Sequence, residues 1–383
     1  MNKDAKQFLF DLLSTPSPSG NEWAIQERWM EYVQPYADQL DTDTIGNAIA
    51  TLNPDASFKI LLAGHCDEIG FMINHIEDNG FLRFQKVGGI SHKIAPGMKV
   101  RILGYKQQIV GVVGANAEHH GGLKDGFSFE DLYIDCGAKD KKEIAAYVQI
   151  GDLAVYERET EELLNDRISG RGLDNRTGAF IVAEVLRRLA TSRKKTKVGV
   201  YSVSTISEEI GLHGAYFAGA GIQPDAAIAC DVTFATDYPG VNKSKYGDVK
   251  VGGGPVLAKG SPIHPVLNTL LEKAAKRKKY ALQYELTPAG TGTDADRIRF
   301  TGKGVPVALV SLPLRYMHSP VEVVSLQDIE QEIELLVELI QQLDGKEDLR
   351  PVLPPANKAN KRANKSNKRA NKSSKSKKRT TSK

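Results

Sequence analysis

Two adjacent glutamates, Glu208 and Glu209, end an apolar, β-branched run at residues 198–211, VGVYSVSTISEEIG. A buried strand that stops at paired carboxylates delivers charge to one edge of a sheet. Neighbouring carboxylates repel, so such a pair is kept when the two have different tasks, one binding a cation and the other moving protons. Groups of the same kind stand at comparable places along the chain. The apolar run 58–63 ends in Gly64-His65-Cys66-Asp67-Glu68, where an extended backbone turns His65 and Asp67 to one side and Cys66 to the other. Asp174 follows Gly170-Arg171-Gly172-Leu173 at the expected start of a helix, and the run 226–230 ends in Asp231. His318 lies in the segment 313–320, PLRYMHSP, after the last apolar run.

Four strand ends and one helix start thus carry His65, Asp174, Glu209, Asp231 and His318. In a parallel α/β sheet these places gather at one edge, where ligands bind. Two imidazoles and three carboxylates make an N/O donor set that suits Zn²⁺, Co²⁺ or Mn²⁺ better than Ca²⁺ or a redox cluster. Five ligands exceed what one open catalytic zinc takes. They fit two divalent ions per subunit that share a carboxylate and lie ~3.5–4 Å apart. For Asp174 the plain alternative is a helix N-cap.

The elements that must position these groups follow from apolar spacing. Phe8, Leu9, Leu12 and Leu13 predict one short helix, and Ile25, Trp29, Tyr32 and Val33 predict a second after the PSPSGNE turn. The segment 73–166 changes to short alternating strands, at 80–87, 98–103 and 108–113, with a short helix at 141–148. It reads as a β-rich insert between two halves, 1–72 and 167–349, of an α/β domain. His119 and His120 lie in a Gly-flanked stretch that reads as a solvated loop. Past residue 168 the α/β texture resumes, with a helix face at Val182, Val185, Leu186 and Leu189. A basic helix is expected at 265–279 and a strand at 282–286. The loop 290–296, GTGTDAD, is suited to lining a pocket with backbone N–H groups. Ser325 and Asp328 are expected to form the capping box of a closing helix, whose buried stripe is Ile329, Ile333, Leu336, Ile340 and Leu343.

Of the 383 residues, those from 351 onward contain twelve Lys or Arg and no Asp or Glu. The formal net charge is +4, so residues 1–350 alone come to about −8 and the basicity belongs to a low-complexity tail, 350–383, expected to be disordered. The tail lacks interleaved aromatics, so weak nonspecific nucleic-acid contact is the most it predicts. Cys66, Cys136 and Cys230 have neither disulfide-framework nor zinc-finger spacing, and Cys66 and Cys230 read as core residues. With no signal-peptide core and no membrane-length apolar run, the expected place is the cytoplasm.

The motifs AGHCDEIG, GRGLDNRTG, SEEIGLHGA, CDVT and LRYMHSP resemble those of the glutamyl-aminopeptidase and tetrahedral (TET) aminopeptidase family of dinuclear metallopeptidases. The similarity covers residues 5–349, including the DLYIDCGA segment of the insert. It implies a mixed-sheet α/β/α catalytic domain interrupted by a PDZ-like dimerisation insert. It also implies peptide substrates and dimers that assemble into a dodecamer. Carried onto matching positions, the resemblance implies that His65 and Asp231 bind one metal, Glu209 and His318 the other, and that Asp174 bridges them. Zn²⁺ comes first, ahead of Co²⁺ or Mn²⁺. Glu208 would be the general base and acid, and Asp67 would orient His65.

Other readings use parts of the same pattern. A dinuclear amidohydrolase or deacylase needs the same metal set, whereas a glycosidase needs two free carboxylates and these acids look committed to metal. A binding protein would act through its basic tail. Family members differ in the N-terminal residue they prefer, and Arg297 and Arg315 near the expected pocket loops would favour acidic residues unless they are held in structural pairs.

Overall fold

The computed structural model describes residues 1–353, of which Met1–Glu347 form one compact unit. The expected tail lies outside the described residues from 354 on. At the N-terminus, Asn2 caps the helix Lys3–Ser14 by accepting from Ala5 N at 2.8 Å, and Phe8, Leu9, Leu12 and Leu13 are its buried face. The helix Trp23–Val33 buries Ile25, Trp29 and Val33, and Phe8 stacks on Tyr32 at 3.7 Å between ring centres.

An eight-stranded mixed sheet runs through the molecule. At its centre Gly199–Thr205, Lys59–His65, Ala226–Phe234 and Val307–Leu314 lie side by side and parallel. Their near-continuous burial explains why they read as apolar runs rather than alternating ones. Antiparallel strands flank them, Ala48–Leu52 with Gln39–Thr42 on one side and Val256–Gly260 on the other. Gln283–Thr287 then forms the far edge. The parallel register places Thr205 beside His65 and Asp231 beside Ser311, so the C-terminal ends of all four central strands share one edge.

Helices cover both faces. On one, Leu173–Thr191 packs against the strands and against the closing helix Leu326–Gln342. On the other, Ala215, Ala218 and Ile222 of His213–Ile222 join Ile298 over Leu61, Val203 and Ala229. Helix and sheet approach unusually closely next to the charged edge. A Cβ on Gly64 would lie 2.4 Å from the Gly178 carbonyl carbon, so only glycine fits there.

A closed six-stranded barrel occupies the β-rich stretch, from Gly70–Ile76 to Leu153–Tyr156. Its core is Phe71, Ile73, Phe84, Val100, Ile102 and Ile134. The strand Glu161–Leu163 instead joins a small sheet with Arg167–Gly170 and Glu322–Ser325.

Two local expectations are corrected. Asp174 does not cap the long helix, because Asp174 and Asn175 leave helical geometry and no side-chain cap bond is made. Its carboxylate therefore faces the histidines described below. Ser325 does cap the closing helix by accepting from Gln327 N, but Asp328 turns away to accept from Gly252 N at 2.7 Å and Gly254 N at 2.9 Å. Two free amides on a tight glycine turn outcompete the local box.

Candidate metal centre

Each charged group reaches the sheet edge by its own element. His65 is the last residue of its strand, and Asp231 sits inside Ala226–Phe234, not at its end. Glu208 and Glu209 follow Gly199–Thr205 through a turn in which Ser207 has φ 54°. His318, four residues past Val307–Leu314, has φ 61°. The structure brings all of them, with Asp174, into one cleft.

Within the cleft the donors form two groups that share Asp174, namely His65, Asp174 and Asp231, and Asp174, Glu209 and His318; in each, the ligand atoms lie within 4.8 Å of one another. Nε2 of His65 is 3.3 Å from Asp174 Oδ1 and 3.9 Å from Asp231 Oδ1. Nε2 of His318 is 3.2 Å from Asp174 Oδ2 and 3.4 Å from Glu209 Oε2. Glu208 belongs to neither group, although its Oε2 stands 3.8 Å from His65 Nε2.

The far nitrogens of both rings are held by backbone carbonyls. Nδ1 of His65 lies 3.1 Å from the Asp67 carbonyl oxygen and 3.4 Å from its Oδ1, while Nδ1 of His318 lies 3.0 Å from the Gly89 carbonyl oxygen. A carbonyl only accepts, so each Nδ1 carries a proton outward and Nε2 is the nitrogen that faces the cleft. Asp67 does more than hold His65. It also accepts from Glu208 N at 3.1 Å, Glu209 N at 3.2 Å and Ser19 Oγ at 2.6 Å, which fixes the glutamate turn against the neighbouring strand end.

The electrostatics of this arrangement call for added positive charge. Burial, reinforced by repulsion from Asp231, Asp294 and Glu209 and opposed by His65, pushes the Glu208 carboxyl up to about 10. Burial and the nearby Asp174 raise Asp231 too. Asp174 goes the other way, because hydrogen bonds from His318 and His65 overcome its burial. His318 is pushed up to about 11: burial opposes this, but Asp174 and Glu209 outweigh it. Glu209 Oε1 is buried without a hydrogen-bond partner. An orphaned carboxylate oxygen among crowded acids fits divalent cations, which satisfy such oxygens and relieve the repulsion.

Sequence reasoning missed the residues that hold the donors in place. Glu322, buried, accepts from His318 N at 2.8 Å and from Asp174 N at 3.2 Å, joining two donor-bearing segments 144 positions apart in the chain. Glu22 accepts from Ser207 N at 3.2 Å, and Asp294 accepts from Thr205 Oγ1 at 2.5 Å. A single acid after His-Ser-Pro carries no periodic signal, so only the tertiary pairing reveals Glu322. The loop 290–296 lines the cleft as expected, through Thr291, Gly292 and Thr293, but not with free amides: Thr291 N and Gly292 N donate to Asp296 Oδ2 at 2.8 and 2.9 Å within the loop. His119 and His120 are exposed, and the two donor groups do not include them. Arg315 is held by Asp237 at 2.8 and 2.6 Å, and Arg297 is exposed on the short helix Ala295–Ile298.

Known proteins share this architecture. The family profile of the M42 glutamyl aminopeptidase matches residues 46–335. A lysyl aminopeptidase from Pyrococcus furiosus is 33% identical over 88% of this chain and 97% of its own length. The TET aminopeptidase of a marine-sediment Thaumarchaeota archaeon superposes with a TM-score of 0.85 at 30% identity, over 90% of this chain and 98% of that one. The Pyrococcus horikoshii TET1 peptidase, which can assemble into a tetrahedron or a large octahedral shell, gives 0.79 at 31% identity, over 88% and 100%. Among the described residues no helix is long and apolar enough to cross a membrane.

Proposed function

The chain belongs to the M42 glutamyl aminopeptidase family and is a peptidase of that kind, and from that premise we propose that it removes single N-terminal residues from peptides at a dinuclear metal centre. His65 and Asp231 hold one divalent ion, Glu209 and His318 hold the other, and Asp174 is shared. The observation that carries this reading is the pair of donor groups joined at one carboxylate, with an uncommitted Glu208 beside them. Two imidazoles with three carboxylates favour Zn²⁺, with Co²⁺ or Mn²⁺ as substitutes.

When bound, the two cations supply Lewis acidity to the first peptide carbonyl and lower the pKa of an attacking water. The chain's own part is proton handling and positioning. Glu208, which the donor groups leave uncommitted, takes the proton of that water and returns it to the leaving amine. Burial among acids pushes its carboxyl up to about 10, and neighbouring positive charge lowers a carboxyl raised in this way. Asp67 and the Gly89 carbonyl keep each Nε2 aimed inward.

The barrel is the proposed dimerisation unit of a larger shell. Its strand Gln108–Gly114 exposes Val110 and Val112, and Tyr105, Tyr147 and Ile150 are exposed elsewhere in the same segment, apolar surface of the sort that covers itself by association. The likeness to a TET1 peptidase that assembles into shells supports the same outcome. The reading of the tail as a weak nucleic-acid contact falls on residues outside those described.

The test is a pair of variants. Glu208→Gln is expected to keep its metal while turnover falls by about 10²–10⁴-fold. Asp174→Asn is expected to lose metal. Near-normal hydrolysis by Glu208→Gln would rule out the assigned proton carrier.

A further inference from the structure

Building on the aminopeptidase reading above, we infer that the cleft selects peptides whose N-terminal side chain is uncharged and apolar. Beyond the metal-holding groups and Glu208, its walls are built by Leu212, Val232, Phe234, Thr291, Thr293 and Met317, with glycines between them. None of these side chains is charged. A charged substrate side chain drawn into such a wall loses its water and needs an opposite charge or aligned donors in exchange.

Two charged groups on the wall-building segments, Arg315 and Asp296, are engaged by protein partners. Arg315, two residues before Met317, is bound through two nitrogens to both oxygens of Asp237. That one pair removes both a cation for acidic residues and an anion for basic ones. Asp296 Oδ2 accepts from Thr291 N and Gly292 N, and Thr293 N donates to Thr291 Oγ1 at 3.2 Å. The loop therefore offers no amide from these three residues to a substrate carboxylate. Glu285, beneath the strand that carries Val232 and Phe234, accepts from Thr233 Oγ1 at 2.5 Å and Ser311 Oγ at 2.8 Å. The glutamyl preference in the family's description and the lysyl preference of the Pyrococcus furiosus relative both need a charge that these walls lack.

The experiment uses the metal-loaded full-length chain and the p-nitroanilides of leucine, methionine, glutamate and lysine, alongside calorimetric binding of the free amino acids. kcat/KM for leucine and methionine should exceed that for glutamate and lysine by at least about 10-fold, the scale of discrimination a shaped apolar pocket gives. Free leucine should bind with saturable heat where free glutamate and lysine do not. Phe234, 66% exposed and on the wall, accepts a long side chain without disturbing the core. Phe234→Arg should therefore narrow the leucine-to-glutamate ratio by about 10-fold at unchanged metal content, through a new cation for the carboxylate. Faster cleavage or tighter binding of glutamate or lysine, or a ratio that Phe234→Arg leaves alone, would overturn the inference while leaving the aminopeptidase intact. Silence with all four substrates would overturn the aminopeptidase reading itself.

Discussion

At the scale of single residues, the candidate centre divides into groups that face the cleft and groups that aim them. His65, Asp174, Glu209, Asp231 and His318 face it; Asp67, Gly89 and Glu322 aim them. The aiming groups are as specific as the donors. A Cβ on Gly89 would sit 2.7 Å from His318 Nδ1, so this carbonyl can approach the ring only because the residue is glycine. Glu322 needs both carboxylate oxygens as acceptors, since each takes one backbone N–H. Glu322→Gln replaces one acceptor with an NH₂ that faces an N–H donor. Metal affinity should fall by about 10–100-fold, as when other groups that orient metal ligands are lost. Equilibrium metal titration, with circular dichroism confirming the fold, is the check. Undiminished affinity would show that the two segments are held by other means. The chemistry-bearing residues were readable because acids and histidines that interrupt apolar runs stand out. Glu322 and Gly89 were not, because their roles exist only once segments distant in the chain have met.

At the scale of elements, the first turn of the central helix is held by a buried charge cluster that the motifs contained but did not explain. Glu68 receives Arg171 on one oxygen and Arg176 on the other, the latter at 3.2 Å, and all three are buried. Arg176 also donates to the carbonyls of Thr15, at 2.7 Å, and Arg171, at 2.7 Å. The cluster thereby pins the end of the first helix, the strand end after His65 and the backbone around Asp174 to one another. Burial alone would raise the Glu68 carboxyl, yet the two guanidinium groups hold it below its ordinary 4.5. A carboxylate depressed in the folded state stabilises the protein fully above its unfolded value, and that contribution is lost as pH falls through the folded one. Glu68→Gln should therefore lower stability at neutral pH by about 3–5 kcal/mol, the scale of stranding a buried partner charge. It should also narrow its difference from the native chain below pH 4.5. Denaturant unfolding at pH 7 and pH 4 measures both; a constant difference between them would contradict the linkage. The parallel core of the sheet was legible as unbroken apolar runs, and the helix faces as their 3.6-residue spacing. The departure from helix at Asp174 and Asn175 was not. The Gly-rich approach looked like an ordinary helix start, and nothing local announces that Asn175 must reach the Cys230 carbonyl at 2.8 Å.

At the scale of the whole molecule, the barrel and the catalytic sheet meet at the candidate centre, where Gly89 touches His318 and Gly88 approaches Glu209. The barrel's exposed valines, Val110 and Val112, stand two apart on one strand and so on one face. Val112→Asp should shift the particle toward smaller species in light scattering, with the metal centre's donors untouched; an unchanged mass would place the contact elsewhere. A chain ending at Leu349 should retain full hydrolysis, because the donor groups and the cleft walls all lie before that residue. The alternating strands of the insert were visible in the sequence, whereas closure into a barrel depends on a pairing, between Gly70–Ile76 and Leu153–Tyr156, that no short-range pattern encodes.

The central claim is that two cations, and not one, turn this cleft into an aminopeptidase. Its most direct test titrates Zn²⁺ or Co²⁺ into chelator-stripped full-length protein while metal bound per chain and hydrolysis of leucine p-nitroanilide are read together. Binding should saturate at two ions per chain, activity should reach its maximum only as the second site fills, and Glu208→Gln should take up both ions in silence. Full activity at one ion per chain, or activity in the stripped protein, would contradict it.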